Sequence, residues 1–146
     1  MRFSLHNIPP TVVEKINQLY NLLLQRKKVY EQVSEAVPDK EFQATLLMLA
    51  EESSEYAGEL SSQVQHFGII WQKERTTDTA TCGILQNETE IMRFCKTNEV
   101  ELVNAYYGIL HESGLYGEVK KLVRCQLNGI LNTFLKLKLL NVLKSR

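Results

Sequence analysis

The chain of 146 residues falls in the usual size range of a single domain and is long enough to enclose one continuous core. Its 44% hydrophobic and 23% charged residues are ordinary for a globular protein, which argues against disorder and against a fibrous architecture. Lys and Arg number 17, as do Asp and Glu, so the overall charge excludes a general attraction to nucleic acid or to an acidic membrane.

The first predicted helix covers residues 11–37. Thr11 and Glu14 match a capping box, in which two side chains satisfy the first free backbone amides. Apolar side chains then recur with the period of a helix. Pro38 ends this pattern and Asp39 is a suitable N-cap for the next helix, so we expect the first two helices to be antiparallel neighbours.

The second predicted helix covers residues 39–68 and ends near Gly68, a common type of helix terminator. Ser53 interrupts the middle of its apolar stripe. Residues 69–86 show no clean helical period and predict a long connection. A helix of about 28 residues spans roughly 40 Å, which about 18 extended residues can cover, so this connection is long enough to cross the whole bundle.

The third and fourth predicted helices cover residues 87–113 and 117–144. Asn87 and Glu90 provide an N-terminal cap for the third helix. Two helical hairpins joined by a long crossover are the ferritin-like arrangement of a four-helix bundle. The sequence therefore predicts an all-α, ferritin-like fold, with residues 1–146 forming one domain.

Cysteine usage and the N-terminal residues bear on the location of the protein. Cys82, Cys95 and Cys125 are odd in number and lack CxxC spacing, which favours free thiols. Residues 1–10 lack the charged and apolar segments of a secretory signal. No apolar run approaches the roughly 20 residues of a membrane-spanning helix. We therefore expect a cytoplasmic protein with no membrane span.

Particular residues, in addition to the periodicity, match a known family. They extend from the end of the first helix to the fourth: Val37, Asp39, Glu41, Phe42, Glu55, Tyr56, Ala57, Glu59, Leu60, Gly68, Cys95, Glu99, Ala105, Tyr106, Leu122, Val123 and Gln126. Together they resemble an uncharacterised bacterial family of ferritin-like four-helix bundles, catalogued as a domain of unknown function. The resemblance covers nearly the whole chain from the first helix onward and implies the same fold.

Two features depart from that family. Its members have a longer and more helical crossover with a tryptophan segment, whereas the connection here is shorter and Trp71 lies near its start. The fourth helix of the family usually carries a histidine where this chain has Phe134. A function that depends on that histidine is therefore not expected here.

A di-iron or di-manganese bundle needs two Glu-x-x-His pairs and two further glutamates. The residues three positions before the histidines are not carboxylates: Phe3 before His6, Gln63 before His66 and Gly108 before His111. We therefore expect no metal, no other cofactor and no catalytic residues. The alternative is a metal-binding or oxidase-like protein whose degenerate carboxylate site uses Glu52, Glu55, Glu99 and Gln126.

A buried polar cluster is expected around Ser53, Glu99 and Gln126. Glu99 and Gln126 lie at similar heights on the second predicted hairpin, and a buried acid has to find a partner or shift its pKa. Arg26 or Lys27, which both lie close to the apolar stripe of the first helix, would supply the positive charge.

The fourth helix has a wider apolar arc than its neighbours need to cover, because it also carries Leu131, Leu135, Leu139 and Val142. We expect this surface to form a homodimer or to bind an unknown protein partner. The alternatives are that apolar residues among 3–8 fold back over it, or that it lies on a membrane surface. The sequence thus favours a non-enzymatic bundle that acts through self-association or protein binding.

Overall fold

The computed structural model describes residues 9–65, 87–115 and 117–144, which form four α-helices. The helices are α1 (Pro10–Ala36), α2 (Lys40–Gln65), α3 (Glu88–Leu110) and α4 (Gly117–Lys144). No strand occurs in these three ranges, so the predicted all-α class is confirmed. None of the four helices combines the length and the apolar character that a membrane crossing requires.

α1 begins one residue earlier than predicted and has no capping box. Pro9 precedes the helix, Pro10 opens it, and no side chain caps its first amides. Thr11 and Glu14 therefore do not form the predicted box, and that prediction is wrong. The physical reason is that proline at the first helical position has no N–H to satisfy and has its φ fixed near the helical value.

The predicted N-terminal caps of α2 and α3 are both present. Asp39 Oδ2 accepts a hydrogen bond from Phe42 N at 2.8 Å, and Asn87 Oδ1 accepts one from Glu90 N at 2.9 Å. Each bond satisfies one of the amides that the start of a helix leaves free. α4 starts at Gly117, whose φ of 68° lies in the left-handed region that glycine adopts most easily.

α3 ends at Leu110, short of the predicted end at residue 113. A backbone hydrogen bond from Glu112 N to Ile109 O tightens the last turn and closes the helix there. The predicted end of the second helix at Gly68 and the predicted crossover at 69–86 lie outside the described residues. Further sequence features outside those ranges are residues 3–8, His66, Trp71 and Cys82.

The core consists of two apolar clusters, and every helix contributes to both. The first cluster includes Ile16, Leu19, Leu60, Tyr106, Ile109 and Ile130. The second cluster includes Tyr30, Phe42, Leu46, Leu49, Cys95 and Leu137. Along each helix a buried polar residue lies between the two clusters: Arg26 in α1, Ser53 in α2, Glu99 in α3 and Thr133 in α4. The core is therefore divided by a polar layer.

Each described helix packs against two others. α1 lies beside α2 and α3, and α4 lies beside the same two, whereas the backbones of the described parts of α1 and α4 are not neighbours, nor are those of α2 and α3. α4 and α2 approach closely at Gly129, where a Cβ would overlap Tyr56 Oη. The helices thus form a ring in which side chains from all four meet at the polar layer.

Candidate functional site

The candidate site is the polar layer between the two apolar clusters. Arg26, Ser53, Glu99 and Thr133 come one from each helix, and all four are buried. Each lies on the apolar stripe of its helix, so the packing that buries the stripe also carries the polar side chain inside. A buried charge is costly unless it is paired and hydrogen-bonded, so its partners decide what the layer can do.

Arg26 and Glu99 form a two-point ion pair. Arg26 Nε donates to Glu99 Oε2 at 2.8 Å, and Arg26 Nη2 donates to Glu99 Oε1 at 2.6 Å. The Glu99 side chain is fully buried. This planar pairing uses both oxygens of the carboxylate, and it is a geometry that a guanidinium can adopt and an ammonium cannot.

The other terminal nitrogen of Arg26 reaches α2. Arg26 Nη1 donates to Ser53 Oγ at 2.8 Å, to Glu52 Oε1 at 3.0 Å and to Leu49 O at 3.3 Å. Ser53 Oγ in turn donates to Leu49 O at 2.9 Å. One side chain of α1 therefore joins α2 and α3 through hydrogen bonds inside the core.

Tyr30 and Thr133 complete this network. Tyr30 Oη donates to Glu99 Oε2 at 2.7 Å, and the Tyr30 ring centre lies 5.5 Å from the guanidinium carbon of Arg26, within cation–π range. Thr133 Oγ1 donates to Glu52 Oε1 at 3.1 Å, which links α4 to α2 and through Glu52 to the rest of the network. We call this network the arginine cluster; its members are Arg26, Tyr30, Glu52, Ser53, Glu99 and Thr133.

Burial and neighbouring charges both shift the pKa values of the arginine cluster, in opposite directions for Arg26 and Glu52 and in the same direction for Tyr30. Burial lowers the pKa of Arg26, but the charge and hydrogen bonds of Glu99 more than offset this, and the pKa is raised. Burial raises the pKa of Glu52, and the charge of Arg26 opposes that rise without cancelling it. Burial and the charge of Glu99 raise the pKa of Tyr30 well above its usual value. The site therefore favours a charged Arg26 and a neutral Tyr30.

A second hydrogen-bonded group lies nearer to the turn between α3 and α4. Tyr106 Oη donates to Gln126 Oε1 at 2.8 Å, and Gln126 Nε2 donates to Tyr56 O at 3.0 Å and to Glu59 Oε1 at 3.2 Å. Burial raises the pKa of Tyr106, and burial with the charge of nearby glutamates raises the pKa of Tyr56 to about 12. This group joins α2, α3 and α4 without a buried charge.

The structure divides the predicted polar residues between these two groups. Arg26, Ser53 and Glu99 lie together in the arginine cluster. Gln126 instead belongs to the second group. Lys27 is half-buried and takes part in neither of the two groups.

Three members of the arginine cluster were not among the predicted cluster residues: Glu52, which the sequence offered only for the alternative metal site, and Tyr30 and Thr133, which had a weak signal in the sequence. Tyr30 lies four residues after Arg26 and so on the same face of α1. Thr133 lies seven residues after Gln126 and so on the same face of α4. Both fall where an apolar residue would continue the stripe, but buried tyrosine and threonine are common enough in helices that position alone does not single them out.

Of the residues considered for a metal site, Glu52 and Glu99 meet only at the guanidinium of Arg26, and the other two do not join them. Glu55 is exposed on α2, both oxygens of Glu99 accept from Arg26, and Gln126 bonds elsewhere. His111 is exposed where α3 ends. In the part of the chain that the structure describes, no group of three or more His, Cys, Asp or Glu side chains is arranged to hold a metal ion.

An exposed apolar stripe runs along the last turns of α4. Leu135 and Leu139 are 62% and 59% exposed, and Val142 and Leu143 are 55% and 53% exposed. We call these residues the α4 stripe. Leu131, predicted for the same surface, is instead half-buried and packs against the first apolar cluster, because it lies at the edge of the buried face of the helix.

The two helices on this side of the bundle carry opposite charges. α2 contains five glutamates and one lysine, whereas α4 contains six basic residues and one glutamate. α2 and α4 lie side by side, so an acidic helix and a basic helix are neighbours. The neutral total charge therefore conceals a strong separation of charge.

Comparison with known proteins does not assign a function to this chain, so the function has to be inferred from the geometry described above. No protein-family model matches the chain, and a search of curated proteins gives no match either. The features from which a function can be inferred are thus the arginine cluster, the α4 stripe and the separated charges.

Proposed function

We propose that this chain is a ferritin-like four-helix bundle that works without a metal ion and acts by binding a second copy of itself. The α4 stripe carries this proposal, because it leaves four large apolar side chains in solvent on one helix. Contiguous apolar patches on a protein surface mark interaction sites more often than they occur by accident. The direction of the helices and the arginine cluster add support.

The contacts between α1 and α2 favour an antiparallel pair. Arg26 donates to Ser53, whereas Ser34, later in α1, accepts at its carbonyl oxygen from Gln43 Nε2, earlier in α2, at 3.0 Å. In antiparallel neighbours, residues that lie later in one helix contact residues that lie earlier in the other, as these two pairs do. A short connection between the two helices agrees with this direction.

The contacts between α1 and α3 have the same pattern. Lys15 Nζ lies 2.5 Å from Glu112 Oε1 near the start of α1 and just beyond the end of α3, whereas Arg26 pairs with Glu99 in the middle of both helices. If α2 and α3 are both antiparallel to α1, they point in the same direction. That is the arrangement of ferritin-like bundles, whose hairpins are joined by one long crossover.

The arginine cluster favours a role that does not depend on a metal. Ferritin-like metalloproteins hold their ions between the four helices, on carboxylates that project inward. Here the guanidinium of Arg26 lies between the helices, and Glu52 and Glu99 both accept hydrogen bonds from it. A metal ion at these carboxylates would have to displace the guanidinium and add its own positive charge beside it.

We therefore expect no stoichiometric binding of Fe²⁺ or Mn²⁺ in the middle of the bundle. The measurement is equilibrium dialysis without chelator, followed by elemental analysis of the protein. Glu52→Gln is the matched control, because it removes one carboxylate of the cluster and leaves the exposed glutamates of α2 in place. Two ions per chain that are lost in this variant would contradict the proposal and favour the alternative, a metal-binding or oxidase-like protein.

The charges of α2 and α4 indicate how two copies would meet. An α4 stripe facing the α4 stripe of another copy would bring two basic helices together, whereas the acidic α2 offers complementary charge. A two-fold axis between α2 and α4 would pair each α4 with the partner's α2, and this contact would occur twice. Met48, which is exposed on α2, would add an apolar contact to each.

We expect the chain to be a dimer that Leu135→Glu or Leu139→Glu converts to a monomer, because either change places an unpaired charge in an apolar contact. Sedimentation or light scattering at micromolar concentrations measures the change. Val100→Glu is the matched control, since Val100 is an exposed apolar residue of α3 outside the α4 stripe. A wild-type chain that is monomeric at these concentrations would contradict the proposed self-association.

An exchange of charges tests the pairing of α4 with α2. Glu55→Lys and Lys136→Glu alter exposed residues, one on each helix. Either change alone should weaken the dimer, and the two together should restore it, because the attraction between the helices returns with its sign reversed. If Leu139→Glu weakens the dimer and neither charge change does, the result would support self-association and contradict the pairing of α4 with α2.

A further inference from the structure

A groove lies between α3 and α4, away from the face that α4 shares with α2. Its volume is about 830 Å³, within the range of sites for small organic ligands. Three apolar and three basic side chains line it: Met92, Val100, Phe134, Arg93, Lys96 and Lys138. The other lining residues are uncharged and polar, so within the described ranges no acidic side chain lines the groove.

The basic side chains of the groove have no carboxylate partner among the described residues. The ion pairs in that part of the chain involve other residues, and none includes Arg93, Lys96 or Lys138. Lys138 Nζ lies 4.5 Å from the centre of the Phe134 ring, so one of these cations rests directly on the apolar part of the groove. Positive charge and apolar surface are thus adjacent in the groove.

The shape of the groove favours an elongated ligand. Its α3 side runs from Thr89 to Val100, which corresponds to about three turns and roughly 16 Å of helix. A single alkyl chain lying along it would cover Val100 and Phe134 and would remove their apolar surface from water, which favours binding. A terminal anion would meet the basic side chains at the rim.

We propose that this groove binds a small amphipathic anion, with a long-chain carboxylate as the ligand class. The carboxylate pairs with Lys96 and Lys138, and the alkyl chain lies over Phe134 and Val100. A flat bilayer is a poorer fit, since a single chain can lie along an open groove between two helices, whereas a bilayer would meet the outer side of α4. This inference does not depend on self-association or on the arginine cluster.

The experiment measures binding of dodecanoate to the full chain by titration calorimetry below the micelle concentration of the ligand. We expect saturable binding at one site per chain, at least about tenfold tighter than binding of dodecanol, which has the same alkyl chain without the charge. Dodecyltrimethylammonium should bind more weakly still, because its charge has the sign of the groove. Anionic vesicles form a separate arm and should not compete with dodecanoate.

Variants then locate the site. Lys96→Gln with Lys138→Gln should weaken dodecanoate binding by about tenfold or more, and Phe134→Ser should weaken dodecanoate and dodecanol alike. Lys121→Gln is the matched control, because Lys121 is an exposed lysine of α4 outside the groove, and circular dichroism checks that each variant is folded. Equal losses with Lys121→Gln, equal affinity for the cationic amphiphile, binding only to vesicles, or no saturable binding would each overturn the proposal.

Discussion

Arg26→Met is expected to destabilise the bundle by about 3–5 kcal/mol, because it leaves Glu99 buried with an uncompensated charge. Single domains are stable by only about 5–15 kcal/mol, so this one substitution would remove a large part of the total. Chemical denaturation followed by circular dichroism measures the loss. Arg26→Lys should recover little of it, since an ammonium group cannot reproduce the two-point contact with Glu99.

Three further variants separate the effect of losing the ion pair from the effect of losing a side chain. Arg26→Met combined with Glu99→Leu should recover most of the stability, because no buried charge remains unpaired and Tyr30 Oη still lies 3.2 Å from Cys95 O. Glu52→Gln should cost much less than Glu99→Gln, since burial already raises the pKa of Glu52 and an amide oxygen can still accept from Arg26. If the double variant is no more stable than Arg26→Met, the charge of Glu99 is not the cause.

Above pH 10 the protein is expected to lose stability steeply and to unfold as its buried tyrosines ionise. The pKa of Tyr30 and that of Tyr106 are raised above the usual value of 10.0, mainly by burial, so the native state holds these protons more tightly than the unfolded state. Their contribution to stability is complete below pH 10 and is lost as the pH rises toward the native pKa values. Each group costs about 1.4 kcal/mol per pH unit in that interval.

Tyrosinate absorbance and helical circular dichroism, followed together against pH, check this expectation. The buried tyrosines should ionise only as the helical signal disappears, and Tyr106→Phe should move the transition to higher pH. Tyr107→Phe is the matched control, because Tyr107 is exposed on the same helix and should leave the transition in place. Complete ionisation of all tyrosines while the helices remain intact would contradict the assignment of Tyr30 and Tyr106 to buried sites.

Local chemistry in the sequence was sufficient for most helix starts. Asp39 and Asn87 cap α2 and α3, and Gly117 starts α4, because a side-chain acceptor or a left-handed residue acts on amides a few positions away. α1 differs because Pro10 and the capping box compete for the same turn, and proline needs no cap. The apolar period also predicted which face of each helix is buried. Leu131, which was predicted for the exposed surface of α4 and is half-buried, lies at the edge of that face.

Only the tertiary structure decided which polar side chains meet. Helical periodicity fixes the direction of a side chain around its own axis, but not the height at which two packed helices place their residues against each other. That height puts Arg26, and not Lys27, opposite Glu99, and it puts Gln126 against Tyr106. The choice is physical: a planar guanidinium on the buried face satisfies both oxygens of a buried carboxylate, whereas the neighbouring lysine is turned about 100° away on α1 and remains half in solvent.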